Sequence, residues 1–290
     1  MTARLGTLAS LAAGARLIGR YPRLVAALYL VQLMLSSLAG LVVARALAIE
    51  FARRPLFDRA ADGDLLSLLT ILNDHDALFS GALWACIGFV IAYAMISWFT
   101  TAGLLATATS QPVGARATAE RFGAGGAANV AAFARLAGWS LIPYAAIAVV
   151  GLIGLAAGVR PVELSDSLGT TVGHALLGLT PALLTWWITN TAVDFARIEL
   201  VTRERKSALR ALLRGYATVF SDRRPLPLAG LFYVAIIGVT TVYATAIAGI
   251  DLSWLALLAL RQLVAITRFL AKVCLLGAEV VVAAPGPVTP

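Results

Sequence analysis

Six stretches of this chain run for about twenty residues or more on apolar side chains, and no other feature limits the fold as strongly. Crossing the roughly 30 Å hydrocarbon core takes about 20 such residues in a helix. The stretches cover 24–48, 80–108, 137–159, 169–193, 228–250 and 252–283. They predict an all-α, polytopic membrane protein: one domain over residues 1–290 with six transmembrane helices and amphipathic interfacial helices between them. Composition agrees. Charged residues make up 13% of the 290, against about 25% in soluble domains.

The N-terminal segment is a poor signal peptide, because Arg16, Arg20 and Arg23 interrupt it before the first apolar run begins at Leu24. That run reads as a retained span. The two cysteines, Cys86 and Cys274, fall in different predicted spans without metal-ligand spacing, so free thiols are expected.

Orientation follows from where Lys and Arg fall. Fifteen lie in the N-terminal segment, the 109–136 segment and the 194–227 segment. Only Arg53, Arg54, Arg59 and Arg160 lie in the opposite loops, with Arg45 near a helix end. The asymmetry places both termini in the cytoplasm. The outer loop 50–79 is acidic, and Leu65 to Leu72 within it predicts a short surface helix capped by Asp64.

The three basic segments share a design. Each precedes an outward-going span and reads as an amphipathic helix whose arginines meet anionic headgroups. The first sets Leu5, Leu8, Leu11 and Ile18 against Arg4, Arg16 and Arg20. The second is expected from about Ala127 to Leu136, after a break at Gly123, Gly125 and Gly126. The third sets Leu209, Leu212, Leu213 and Tyr216 against Arg210 and Arg214, with Ser207 placed to cap it. The pattern predicts three copies of a surface helix followed by a span out and a span back.

Charge inside the membrane marks the candidate site. Arg261, Arg268, Lys272 and Glu279 fall within about 20° of one line on the last helix. Each Arg or Lys facing hydrocarbon costs about 2.5–3.5 kcal/mol, so the stripe is expected to face the bundle interior, a water-filled cavity or lipid headgroups. The fourth span ends in Asn190, Asp194 and Arg197, whose i, i+4, i+7 spacing puts them on one face. Asp194 is predicted to pair with a cation of the last span, Lys272 or Arg268; the alternative is Arg197 on its own helix.

The stretch DFARIELVTRERKSALRALL (194–213), with RQLVAITRFLAKV (261–273), resembles a group of uncharacterised bacterial multi-spanning inner-membrane proteins. In these an Asp-aromatic-Ala-basic motif ends one span and leads into a basic cytoplasmic helix. The resemblance covers about the C-terminal third. It implies a bacterial cytoplasmic membrane and carries no activity with it.

Other chemistry is poorly represented. There is no HExxH or GxSxG motif, no paired carboxylates are expected in the spans, and Asp194 stands as a lone acid among arginines. The chain is expected not to be an enzyme and to need no cofactor. Asp74-His75-Asp76 is a weak metal pattern, because three adjacent residues do not converge on one ion, and His174 reads as a packing or interfacial residue. No metal site is therefore expected. The +8 charge sorts by membrane side, which excludes a nucleic-acid footprint.

Two readings of function remain. In the first, an anionic lipid or solute is bound or passed through a polar cavity lined by the last helix, with Gln32, Tyr93, Ser97, Thr100, Asn190, Thr240, Tyr243 and Gln262 contributing. In the second, the chain is a non-catalytic structural or assembly subunit whose stripe pairs with another membrane protein.

Overall fold

The structure, a computed structural model, describes residues 7–51, 76–159, 168–202, 207–249 and 253–283. All regular structure among them is helical: α1 Thr7–Arg20, α2 Pro22–Phe51, α3 Asp76–Ser110, α4 Ala115–Val159, α5 Leu168–Thr202, α6 Ala208–Ser221, α7 Pro225–Gly249 and α8 Trp254–Ala283. The expected surface helix 65–72 and the Asp74-His75 pair lie outside the described residues.

The six-span expectation is corrected. Among the described residues four helices are long and apolar enough to cross a membrane: Pro22–Leu41, Ile87–Ser110, Ala115–Ala157 and Pro225–Thr245. The predicted fourth and sixth spans form helices, α5 and α8, but neither is among the four. Gly, Thr, Pro, Trp and Asn dilute α5, and α8 carries Arg261, Arg268 and Lys272. The chain is a multi-pass membrane protein, with Leu141, Ile142, Leu152, Val234 and Ile237 exposed along its spans, as lipid contact requires.

At 1.5 Å per residue the 45-residue α4 is about 68 Å long, more than twice the hydrocarbon thickness. Its first half, with Arg116, Glu120, Arg121 and Arg135, is the second basic segment. It runs into the span without a break, so Gly123, Gly125 and Gly126 do not interrupt the helix as expected. Ser207 stands at the N-cap of α6 in extended conformation, yet its side chain makes no capping bond.

The chain divides into two compact units, Ala26–Ser97 and the remainder. The first holds most of α2 and the start of α3, with Met34, Leu41, Trp84 and Val90 exposed. In the second, burial is concentrated where the basic helices meet the ends of α3, α5 and α8, here termed the basic end. Ala192 and Phe195 of α5, Val219 of α6, Leu228 and Phe232 of α7, and Leu275, Ala278 and Val282 of α8 form one core there.

One packing rule recurs three times. A Cβ at Gly14 of α1 would overlap the carbonyl oxygen of Cys274 and lie 3.0 Å from the nitrogen of Ala278. A Cβ at Gly215 of α6 would overlap the carbonyl of Ala192 and lie 3.2 Å from the nitrogen of Ala196. A Cβ at Gly125 of α4 would overlap the Cβ of Ala106 and lie 3.7 Å from the carbonyl of Ala102. Each basic helix thus sets a glycine against residues i and i+4 of a helix returning to the basic end. In two cases that helix immediately precedes it; in the third, α1 packs on α8. The contacts recur, but the expected three copies of a surface helix with a span out and a span back do not, because only four helices among the described residues qualify as spans.

The α3–α4 turn is tied to α1. Gln111 holds a left-handed φ of 47° and Gly114 follows at 92°. Arg20 donates to the Gln111 side-chain oxygen at 2.7 Å, and the Tyr21 hydroxyl donates to the Pro112 carbonyl at 3.1 Å.

Adding a methyl separates contact glycines from free ones. Gly215→Ala is expected to lower the melting temperature in detergent, since overpacking costs about 1–3 kcal/mol and the obstacle here is backbone. Gly138→Ala, with nothing within 4 Å, is expected to be neutral or stabilising by up to about 1 kcal/mol through helix propensity. Equal effects from both would remove the packing rule.

Candidate functional site: a buried polar cluster at the basic end

From Thr189 to Leu200, α5 is buried almost all round, although it carries Thr, Asn, Asp and Arg. Buried polar groups need partners, and the neighbouring helices supply them. The Tyr144 hydroxyl of α4 donates to the Asn190 side-chain oxygen at 3.3 Å, and the Asn190 amide donates to the Tyr233 hydroxyl of α7. Tyr216 of α6 donates to Thr189 at 2.9 Å. Three helices therefore present a tyrosine to one turn of α5. Trp186 packs on the Tyr233 ring, with centroids 5.2 Å apart.

Below this turn the Arg197 guanidinium meets Asp194 at 2.5 Å, with the Asp194 side chain 8% exposed. The competition for Asp194 is settled in favour of its own helix, and neither Lys272 nor Arg268 is its partner. Glu279 arrives from α8. It is 1% exposed, and neither carboxylate oxygen has a hydrogen-bond partner among the described residues. Glu279 lies outside the four spans. Burial pushes its carboxyl well above the usual carboxylate range; the Asp194 charge adds to this, while Arg197 and Lys272 oppose it.

The packing rule explains the convergence. Aligning the three returning helices on their glycine contacts makes Ala102, Ala192 and Cys274 equivalent, so Thr107, Arg197 and Glu279 are also equivalent. Asp194 aligns with Leu104 and Leu276, both buried. The next positions, Ala108, Ile198 and Val280, then Thr109, Glu199 and Val281, line a cavity of about 470 Å³. Thr202, Thr218 and Arg214 complete its polar wall, and Arg214 pairs with Glu199 at 2.6 Å.

The predicted stripe is divided. Glu279 joins Asp194, Arg197 and Asn190 in the cluster, whereas Arg261, Arg268 and Lys272 lie on the exposed face of α8. Arg261 donates to the Tyr243 hydroxyl at 3.1 Å. Arg268 and Lys272 make no hydrogen bond or ion pair among the described residues. All four side chains share one helix line, but α8 is covered only towards its C-terminal end. α8 lines this cavity with Val280–Ala283, and Arg261, Arg268 and Lys272 are not among its lining residues.

The sequence reading left Asp194 without an acidic companion and passed over Tyr144 and Tyr233. The signal available was a phenol inside an apolar run, which needs a hydrogen-bond partner once buried. Cys274 is a free thiol that donates to the Leu11 carbonyl at 3.6 Å, and His174 is exposed on α5. Among the described residues no three metal-ligating side chains converge. Comparison with known protein families, curated proteins and solved structures finds no match to this chain.

Removing either partner of the Asp194–Arg197 pair leaves a buried charge uncompensated, which costs about 3–5 kcal/mol. Asp194→Ala is therefore expected to abolish or sharply reduce the folded yield. Exchanging the pair, Asp194→Arg with Arg197→Asp, is expected to recover part of the loss in detergent-phase yield and melting temperature. Asp194→Lys with Lys272→Asp is expected to recover none, and rescue there would contradict the pairing seen.

Proposed function

We propose that this protein binds anionic lipid headgroups in a bacterial cytoplasmic membrane, with its basic end towards the cytoplasm. The observation that carries the reading is the exposed face of α8. Arg268 and Lys272 emerge beside exposed Leu263 and Ile266 without protein partners among the described residues. A cation beside lipid-facing leucines is stabilised by water or by a phosphate, and anionic headgroups supply that phosphate at the membrane boundary. Exposed Arg16, Arg20 and Arg210 on α1 and α6 add to the same basic end. The separation of cations from cavity favours lipid binding over passage of an anion through the protein. The role is binding and not catalysis.

Native mass spectrometry of protein extracted gently from its own membrane tests this. Wild-type protein is expected to retain anionic phospholipid, and Arg268→Ala/Lys272→Ala to lose most of it. Unchanged lipid adducts would overturn the reading. Loss of a co-extracted protein with no change in lipid would make the chain an assembly subunit instead.

Orientation has its own test. In a chain lacking Cys86 and Cys274, Ser221→Cys at the exposed end of α6 is expected to react with an impermeant maleimide only after the cells are permeabilised. Reaction in intact cells would invert the proposed topology.

A further inference from the structure

Two carboxyls and one guanidinium share the interior of the basic end. Arg197 is already engaged by Asp194 at 2.5 Å. Glu279 is more deeply buried than Asp194, and both its oxygens lack a donor among the described residues. The groups around it are few. From α5 come Asp194 and Arg197; from α7, Tyr233; from its own helix, Lys272, one to two turns away with its side chain exposed. From α4 comes Tyr144 and from α6 Tyr216, both phenols hydrogen-bonded to α5; the buried residues of α6 are Ala208, Ala211, Leu212, Gly215 and Val219, and α1 presents Ser10, Leu11, Gly14 and Leu17, none of which titrates. With both carboxyls ionised the cluster would hold one uncompensated negative charge away from water. A buried charge without a hydrogen-bonded partner neutralises instead.

We propose that Glu279 is a proton-binding site, protonated at neutral pH, beside the Asp194–Arg197 ion pair. This goes beyond the lipid reading and does not depend on it. The geometry gives the proton a place to act. Val280, which follows Glu279 on α8, lines the cavity together with Ile198 and Phe195 of α5, so the buried carboxyl lies within one helical turn of lining residues along its own helix. Gain or loss of the proton changes the charge beneath the cavity by one unit. A cationic occupant of the cavity and the proton on Glu279 therefore oppose one another.

Infrared difference spectroscopy of the full chain in lipid nanodiscs tests the assignment. A carboxylic-acid carbonyl band is expected at neutral pH and is expected to be absent from Glu279→Gln. Should the glutamine variant not accumulate, Glu279→Asp keeps the acid and is expected to shift the band. Asp194→Asn frees Arg197 to pair with Glu279 and is expected to remove the band at the same pH. A wild-type spectrum without the band at neutral pH would overturn the proposal, as would a band that survives unchanged in the Glu279 variants.

Stability gives an independent readout. A folded state that binds the proton more tightly than the unfolded chain loses stability as pH rises from the usual carboxylate range through the folded value. The wild-type melting temperature is expected to fall over that window, and Glu279→Gln, neutral at every pH, to remove the Glu279 part of the fall. Identical pH profiles would count against the proton.

Discussion

The architecture of the larger unit depends on how closely three helices approach backbone. α1, the first half of α4 and α6 are basic helices that lie against the ends of α8, α3 and α5, and each makes the contact through a glycine. A single methyl there would meet a carbonyl or a Cβ. Close backbone approach brings many weak dispersion contacts into range and needs no hydrophobic drive, which lipid does not supply between apolar helices. Because the same contact is repeated, three helix ends converge, and equivalent positions line one cavity. The pairing of α1 with α8 joins the first and last described helices.

That convergence creates the polar cluster. Apolar spans leave little inside the protein to attract charge, yet α5 delivers Asn190, Asp194 and Arg197 to the place where Tyr144, Tyr216 and Tyr233 arrive. The hydrogen bonds among them are strong because water is remote, and an unpaired member is costly for the same reason. Glu279 is that unpaired member. The positions aligned with Glu279 are Thr107 and Arg197, so all three helices carry a polar side chain there.

Sequence periodicity identified which residues share a face of a helix but not what that face meets. Arg261, Arg268, Lys272 and Glu279 do lie on one line of α8, because helical geometry is local. Their fates differ because Glu279 sits where α1, α5 and α7 pack together on α8, whereas Arg261, Arg268 and Lys272 lie on its exposed face. The Asp194 partner was similarly open: Arg197 and Lys272 both satisfied the spacing argument, and choosing between them took the three-dimensional register of α8 against α5. The count of spans failed for a related reason. Counting long runs credits α5 and α8 as lipid-facing, whereas their polar residues serve the protein interior or its boundary.

The sequence by itself determined the class of protein: helical, membrane-embedded, with basic amphipathic helices repeated three times along the chain. These follow from hydropathy, length and the placement of arginine, which act over one or two helical turns and need no fold to be read. Tertiary structure alone decided that Glu279 is buried beside Asp194, that Lys272 and Arg268 are not, and that Gly125 and Gly126 are contact points while Gly123 is not. Such facts depend on residues distant along the chain, such as Gly14 and Cys274 or Asp194 and Glu279. Only the packing of one helix on another brings them together.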